Sequence, residues 1–299
     1  MPSLSPSVTL AGAIVGCAVG LTGMGGGALM TPILVVVLGV QPGAAVSSDL
    51  VASLFMKPVG GAVHLRRRTV DFRLVGWLAL GSVPAAFLGA WSLNALANGR
   101  ELQHDIQLAL GAALAVAVVG IGVKVLLDRR RGQPASDERP PVRRLATLAI
   151  GVVGGFIVGM TSVGSGTLII VALMFLYPGL TSRRLVGTDL VQAVPLVGAA
   201  ALGQVFFGHV SLGLTLSLLI GSIPAVYLGA RISAGASTMW LRPVLAGVLA
   251  LSSLKLLGLS NEGLAVALAI VVVALVVSAV AALRPRPPAP AKETATVSR

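Results

Sequence analysis

The stretch "LTGMGGGALMTP" (Leu21–Pro32) decides how the first forty residues fold. It lies inside an apolar run from Val8 to Val40, long enough to cross a bilayer as one helix. Four glycines at Gly23, Gly25, Gly26 and Gly27 oppose that, each weakening a helix by up to about 1 kcal/mol relative to alanine. A run this apolar with such a weak centre is expected to be two helical pieces flanking a break.

The same pattern returns later in the chain. "GCAVGLTGMGGGALMTP" (Gly16–Pro32) aligns with "GFIVGMTSVGSGTLIIV" (Gly155–Val171), so that Gly16, Gly20, Thr22, Gly25, Gly27 and Leu29 meet Gly155, Gly159, Thr161, Gly164, Gly166 and Leu168, each 139 positions on. "SSDLVAS" (Ser47–Ser53) then meets "GTDLVQA" (Gly187–Ala193), placing Asp49 opposite Asp189 at an offset of 140. "GSVPAAFLGA" (Gly81–Ala90) meets "GSIPAVYLGA" (Gly221–Ala230) at the same 140. Three matches in order at a nearly constant offset identify a duplicated unit.

Composition sets the solvent. Of 299 residues, 56% are hydrophobic and only 11% charged, with a mean hydropathy of +0.95. A soluble domain carries about 25% charged residues, so this chain lacks the polar surface to face water. The implied class is an all-α, polytopic membrane protein. The net charge of +12 does not point to nucleic acid, because the basic residues cluster between apolar runs, in "HLRRRTVDFR" (His64–Arg73) and "DRRRGQPASDERPPVRR" (Asp128–Arg144). That is the distribution of cytoplasmic loops. The lone Cys17 excludes an intrachain disulfide and a cysteine-rich metal site. The N-terminal "MPSLSPSVTL" lacks the basic region of a signal peptide, so the first apolar segment is expected to be retained.

The expected organisation follows. Residues 1–132 form a first membrane repeat, 133–144 a cytoplasmic linker, 145–258 a second repeat, 259–283 an extra transmembrane helix and 284–299 a disordered, Pro-rich cytoplasmic tail. Helices are predicted near 44–63, 73–93 and 105–127, then near 184–207, 212–232 and 239–258, with the extra one near 263–283. The glycine-centred segments 9–40 and 145–177 each read as two half-helices. If segment 145–177 dips into the membrane and returns, 19 Lys and Arg residues fall inside and 2 outside; if both such segments cross, the split is 12 to 9. The positive-inside rule favours re-entry. A hairpin plus three crossings is an odd count, so the second repeat would be inverted relative to the first, a recurring transporter plan. The N-terminus would lie outside and the C-terminus in the cytoplasm.

The chemistry is expected at the breaks. Helices restarting at Ala28 and Thr167 would aim N–H groups and positive dipole ends at the gaps, as anion sites do. Thr22 and Thr31 on one side, and Thr161, Ser162, Ser165 and Thr167 on the other, add hydroxyl donors beside Gly25, Gly26, Gly27, Gly164 and Gly166. The bland alternative is tight helix packing through small residues. Asp49 and Asp189 read either as helix N-caps or as proton or cation coupling or gating sites. Lys57 lies eight residues after Asp49 and four after Ser53, on one helical face, where it either snorkels or faces a cavity. The second copy has no lysine there, and Gln192 is its nearest polar group.

Two motifs mislead. "GMGGGA" (Gly23–Ala28) matches a dinucleotide fingerprint but lacks the strand and soluble βαβ unit which that motif needs. "VGSG" (Val163–Gly166) is similar to a serine-protease element, yet Ser165 has Gly26 as its twin. His64 and His209 lie at loop edges, and no metal-ligand spacing appears. No catalytic residue, cofactor or metal is expected.

Taken together, "GLTGMGGGALMTPIL" (Gly20–Leu34) and "GMTSVGSGTLIIVAL" (Gly159–Leu173), each followed by "SSDL" or "GTDL" and then by the "GSVPAAFLGA" or "GSIPAVYLGA" helix, resemble the TauE/SafE family of sulfite exporters, over about Ala11 to Leu257. The resemblance implies passive or ion-coupled transport of small sulfur-containing anions, such as sulfite or sulfonates, across bacterial inner membranes. The expected partners are a small anionic substrate, the lipid bilayer and a coupling proton or cation. An anion channel, an intramembrane enzyme and a sensor module are the alternatives.

Overall fold

The computed structural model describes residues 4–22, 26–95, 100–131, 141–207, 210–233, 241–260, 262–264 and 266–267. Most of the predicted helix near 263–283, the tail 284–299, most of the linker, and His209 lie outside these residues.

Ten α-helices and one π-helical turn carry the described chain. In the first half they are α1 (Pro6–Thr22), α2 (Gly27–Pro32) running into the π turn Ile33–Val37, α3 (Pro42–Arg66), α4 (Phe72–Ala95) and α5 (Arg100–Arg131). In the second they are α6 (Arg144–Thr161), α7 (Leu168–Leu176), α8 (Ser182–Phe207), α9 (Leu212–Ser233) and α10 (Leu241–Leu256). No β-strand occurs among the described residues. Among the described residues, five stretches are long and apolar enough to cross a membrane: Phe72–Ser92, His104–Val123, Arg144–Thr161, Arg184–Phe207 and Leu212–Gly229.

Both glycine-centred segments are broken as expected, but into unequal arms. The leading arms have 17 and 18 residues, about 26 Å at 1.5 Å per residue. The second of these is itself a candidate span. The trailing arms are Gly27–Val37 and the 9-residue α7, about half that length. The asymmetry arises because the last glycine of each break, Gly27 or Gly166, lies past its segment's midpoint. In the first trailing arm Pro32 lacks the N–H that would close a helical rung, and a wider π turn follows.

Polarity is distributed inside out. Leu10, Ile14, Leu80, Leu88, Val119, Phe206 and Ile220 are exposed, while Ser47, Ser48, Asp49, Ser53, Lys57, Asp189, Gln192 and Gln204 are buried. Helices that are apolar on the outside and polar within belong in lipid. Pro58, Pro84, Pro195 and Pro224 interrupt α3, α4, α8 and α9, all from the exposed side.

The halves interlock. α1 packs along α9 and α6 along α4, so each leading arm lies against a helix of the other half. Glycines permit the close approach. A Cβ on Gly12 would meet the Leu218 carbonyl, and one on Gly151 the Leu78 carbonyl; Gly16 faces Ser222 and Gly155 faces Ser82. In return, Gly221 faces Thr9 where Gly81 faces Leu148, and Gly229 faces Cys17 where Gly89 faces Phe156. Each of these four glycine contacts in one interface has its counterpart 139 or 140 residues away in the other. α3 and α8 pack together between these pairs, as do α5 and α10.

Candidate functional site at the paired helix breaks

The two breaks touch. A Cβ on Gly27 would overlap the carbonyl oxygen of Ser162, so only glycine allows the start of α2 to lie on the end of α6. Gly26 faces the Met56 side chain of α3. The backbone at Gly26 is helical, with φ −58° and ψ −31°, so the limit on a side chain there comes from space and not from torsion.

The second break is a genuine turn. Ser162 closes α6 in the left-handed region at φ +58°, donating its N–H to the Val158 carbonyl at 2.7 Å. Gly164 and Gly166 follow at φ +123° and +92°, torsions that side-chain-bearing residues rarely adopt. The Gly164 carbonyl accepts the N–H groups of Thr167 and Leu168 at 3.3 and 3.0 Å and so starts α7. α2 is started likewise by the Gly26 carbonyl, which accepts from Leu29 and Met30 at 3.0 and 2.9 Å. The helices restart at Gly27 and Leu168, each one residue from the predicted positions, and these N–H groups are satisfied within the chain.

Asp49 is the hub. It is wholly buried on the second turn of α3, well inside the helix and therefore not an N-cap. Its Oδ2 accepts from Thr31 Oγ1 at 2.6 Å and from Ser162 Oγ at 3.0 Å, and its Oδ1 accepts from Ser53 Oγ at 3.3 Å. One carboxylate thus joins the first trailing arm, the second break and α3. Lys57, also buried, donates to Ser165 Oγ at 2.5 Å, and its charge is felt by both Asp189 and Asp49. The side chain reaches across to the second break and does not snorkel to a surface.

The remaining predicted residues have distinct roles. Thr161 Oγ1 donates to its own helix at Ile157 O, 2.7 Å away, and accepts the Val163 N–H at 3.2 Å. Thr167 Oγ1 is buried with no hydrogen-bond partner among the described residues. Asp189 accepts from Gln192 Nε2 at 3.2 Å, and Gln192 Oε1 in turn accepts from Ser82 Oγ at 3.0 Å. The Thr22 side chain and Gly25 lie outside the described residues.

Sequence reasoning missed two polar ties. Gln204 Oε1 accepts from Ser47 Oγ at 2.7 Å, linking the end of α8 to the start of α3. Ser82 supports Gln192 from α4. A lone amide inside the apolar run "GAAALGQVFF" (Gly198–Phe207) was the available signal for Gln204.

An all-helical chain of this kind, lipid-facing outside and joined at its centre by carboxylates, a lysine and broken helices, is a multi-pass membrane protein. The sequence pattern of the family described as "Sulfite exporter TauE/SafE" matches residues 8–256, and the chain belongs to that family of membrane transporters. It is 41% identical over 257 residues to "Probable membrane transporter protein YjnA" of Bacillus subtilis (strain 168), covering 85% of this chain and all of the relative. "Probable membrane transporter protein YdhB" of the same strain is 23% identical over 248 residues, 80% of this chain and 96% of the relative. "Probable membrane transporter protein" of Xylella fastidiosa (strain 9a5c) is 33% identical over 174 residues, 55% of this chain and 60% of the relative. No solved structure matches the chain.

Proposed function

We propose that this transporter is a permease without enzymatic activity, moving a small oxyanion, sulfite, a sulfonate or a close sulfur-containing relative, across the inner membrane. One observation carries the proposal: both breaks converge on a buried cluster whose single lysine, Lys57, lies against Ser165 in the second break. A buried ammonium among hydroxyls offers an oxyanion charge and directional donors in a water-poor setting. Gly27, whose side-chain space is filled by the Ser162 carbonyl oxygen, lets the two breaks approach closely enough to share it.

The test is flux. Purified protein in liposomes is expected to move sulfite or a sulfonate down an imposed gradient. Gly26→Leu, which drives a branched side chain into Met56, should stop it. Wild-type liposomes silent to every such anion would sink the proposal.

The same reading places the N-terminus outside, the C-terminus in the cytoplasm and the two repeats in inverted orientation, supported by the 19 to 2 split of basic residues. A cysteine at Ser182 should react with an impermeant thiol reagent only from the cytoplasmic side, and one at Ser260 only from outside. Labelling at Ser182 from outside would overturn that orientation.

A further inference from the structure

A hydroxyl has one proton to donate, and in this structure three of those nearest the breaks are already committed. Thr31, Ser162 and Ser53 all donate to Asp49. An ionised carboxylate only accepts, so Asp49 sits among these donors as a transported oxyanion would. The charged group acting on it is Lys57, from its own helix; the elements packed against it, α2 and the connection after α6, present only the hydroxyls of Thr31 and Ser162. α8 contributes Asp189, which shares Lys57 with Asp49. With all three ionised, the cluster of Asp49, Asp189 and Lys57 already carries one net negative charge. A second anion entering that buried space raises it further unless a proton comes too. Two further hydroxyls, Thr167 Oγ1 in the second break and Ser48 Oγ on α3, are buried with no hydrogen-bond partner among the described residues.

We infer that Asp49 is a tethered competitor of the transported anion, and that a proton from bulk water must bind it before the anion can take over its donors. This rests on the anion-transport reading above. Protonation is a transfer from hydronium: one hydronium O–H bond breaks, leaving water, and one O–H bond forms on a carboxyl oxygen. It removes one negative charge, weakens the hold on Thr31, Ser162 and Ser53, and turns Asp49 itself into a donor. The anion then binds to the freed hydroxyls and Lys57. After release on the far side the proton departs to water, and Asp49 recaptures the hydroxyls. One proton therefore accompanies each anion, and the empty transporter is held closed on itself.

The experiment uses the full chain in liposomes enclosing a pH-sensitive dye, with methanesulfonate as the first probe, because its charge does not change over the working range, and sulfite as the second. In the wild type, methanesulfonate affinity should fall about tenfold per pH unit between about pH 6 and about pH 8, and each anion transported should bring a proton. Asp49→Asn, a near-isostere of the protonated acid, should bind methanesulfonate with the same affinity at both pH values. At the higher pH it should bind about a hundredfold more tightly than the wild type, and its flux should carry no proton. The inference is overturned if wild-type anion flux proceeds without protons, or if Asp49→Asn retains the wild-type pH dependence. Should the variant not fold, the wild-type dye signal alone decides. If neither anion binds or moves with the wild type, the transport reading falls, and this inference with it.

Discussion

The first break and the second are built from the same ancestral pattern and use glycine for different reasons. At Gly26 and Gly27 the backbone is helical and the limit is space: the Ser162 carbonyl fills the side-chain position at Gly27, and the mobile end of Met56 crowds it at Gly26. At Gly164 and Gly166 the torsions themselves exclude other residues. The hydroxyls diverge too. Ser162 and Ser165 stand where the first copy has Gly23 and Gly26, and Thr31 stands where the second has Ile170. Lys57 has Val197 as its twin. A duplicated scaffold thus carries a chemically lopsided centre: symmetry positions the breaks, and asymmetry makes them different in kind.

That contrast can be attacked directly. The largest effect should come from Gly27→Ala. Its methyl group meets backbone, which cannot move aside, and loss of folded protein is expected in detergent size-exclusion profiles. Asp49→Ala should follow, costing about 3 kcal/mol in thermal or denaturant unfolding, because it strands three buried hydroxyls. Equal losses for Asp49→Ala and Asp189→Ala would mean the centre is symmetric after all.

Ser165→Gly restores the first copy's residue in the second break and removes the Lys57 partner. About 1.5–3 kcal/mol of stability should go, the value of a hydrogen bond to a charged group. Gly166→Ala should cost about 1–2 kcal/mol through torsion alone. Gly26→Ala should be the mildest, under about 1 kcal/mol, since the atom it meets is the mobile end of Met56; Met56→Ala in the same chain should remove even that. A Gly26→Ala variant as damaged as Gly27→Ala would show that the two positions are constrained alike.

Much of the architecture was legible because apolar runs and glycine punctuation are local signals. The predicted segments 44–63, 73–93, 105–127, 184–207, 212–232 and 239–258 correspond to α3, α4, α5, α8, α9 and α10, with ends shifted by up to five residues. The placement of Asp49, Ser53 and Lys57 on one helical face was also readable, since it follows from spacing alone. What the sequence concealed was destination. Nothing in the string says that Thr31 and Ser162 turn to Asp49, or that Lys57 reaches Ser165, because those contacts depend on how distant helices cross. The unequal arms were hidden for a related reason: composition marks a break without saying how far each helix continues past it. Ser47–Gln204 and Ser82–Gln192 escaped notice because serines in apolar helices commonly bond back to their own backbone, as Ser47 also does to Gly43.

The exchanged pairing of α1 with α9, and of α6 with α4, also has a consequence for biosynthesis. α1 is made first, yet the surface that Gly16 fits is Ser222 on α9, about 200 residues later in the chain. During most of synthesis the N-terminal helix has no mate, whereas α6 emerges with α4 already present. The protein must therefore be completed like a clasp, its first segment waiting in the lipid until nearly the last is inserted. A chain stalled before α9 would present the glycine face of α1 to quality-control proteases, while one stalled after it would not.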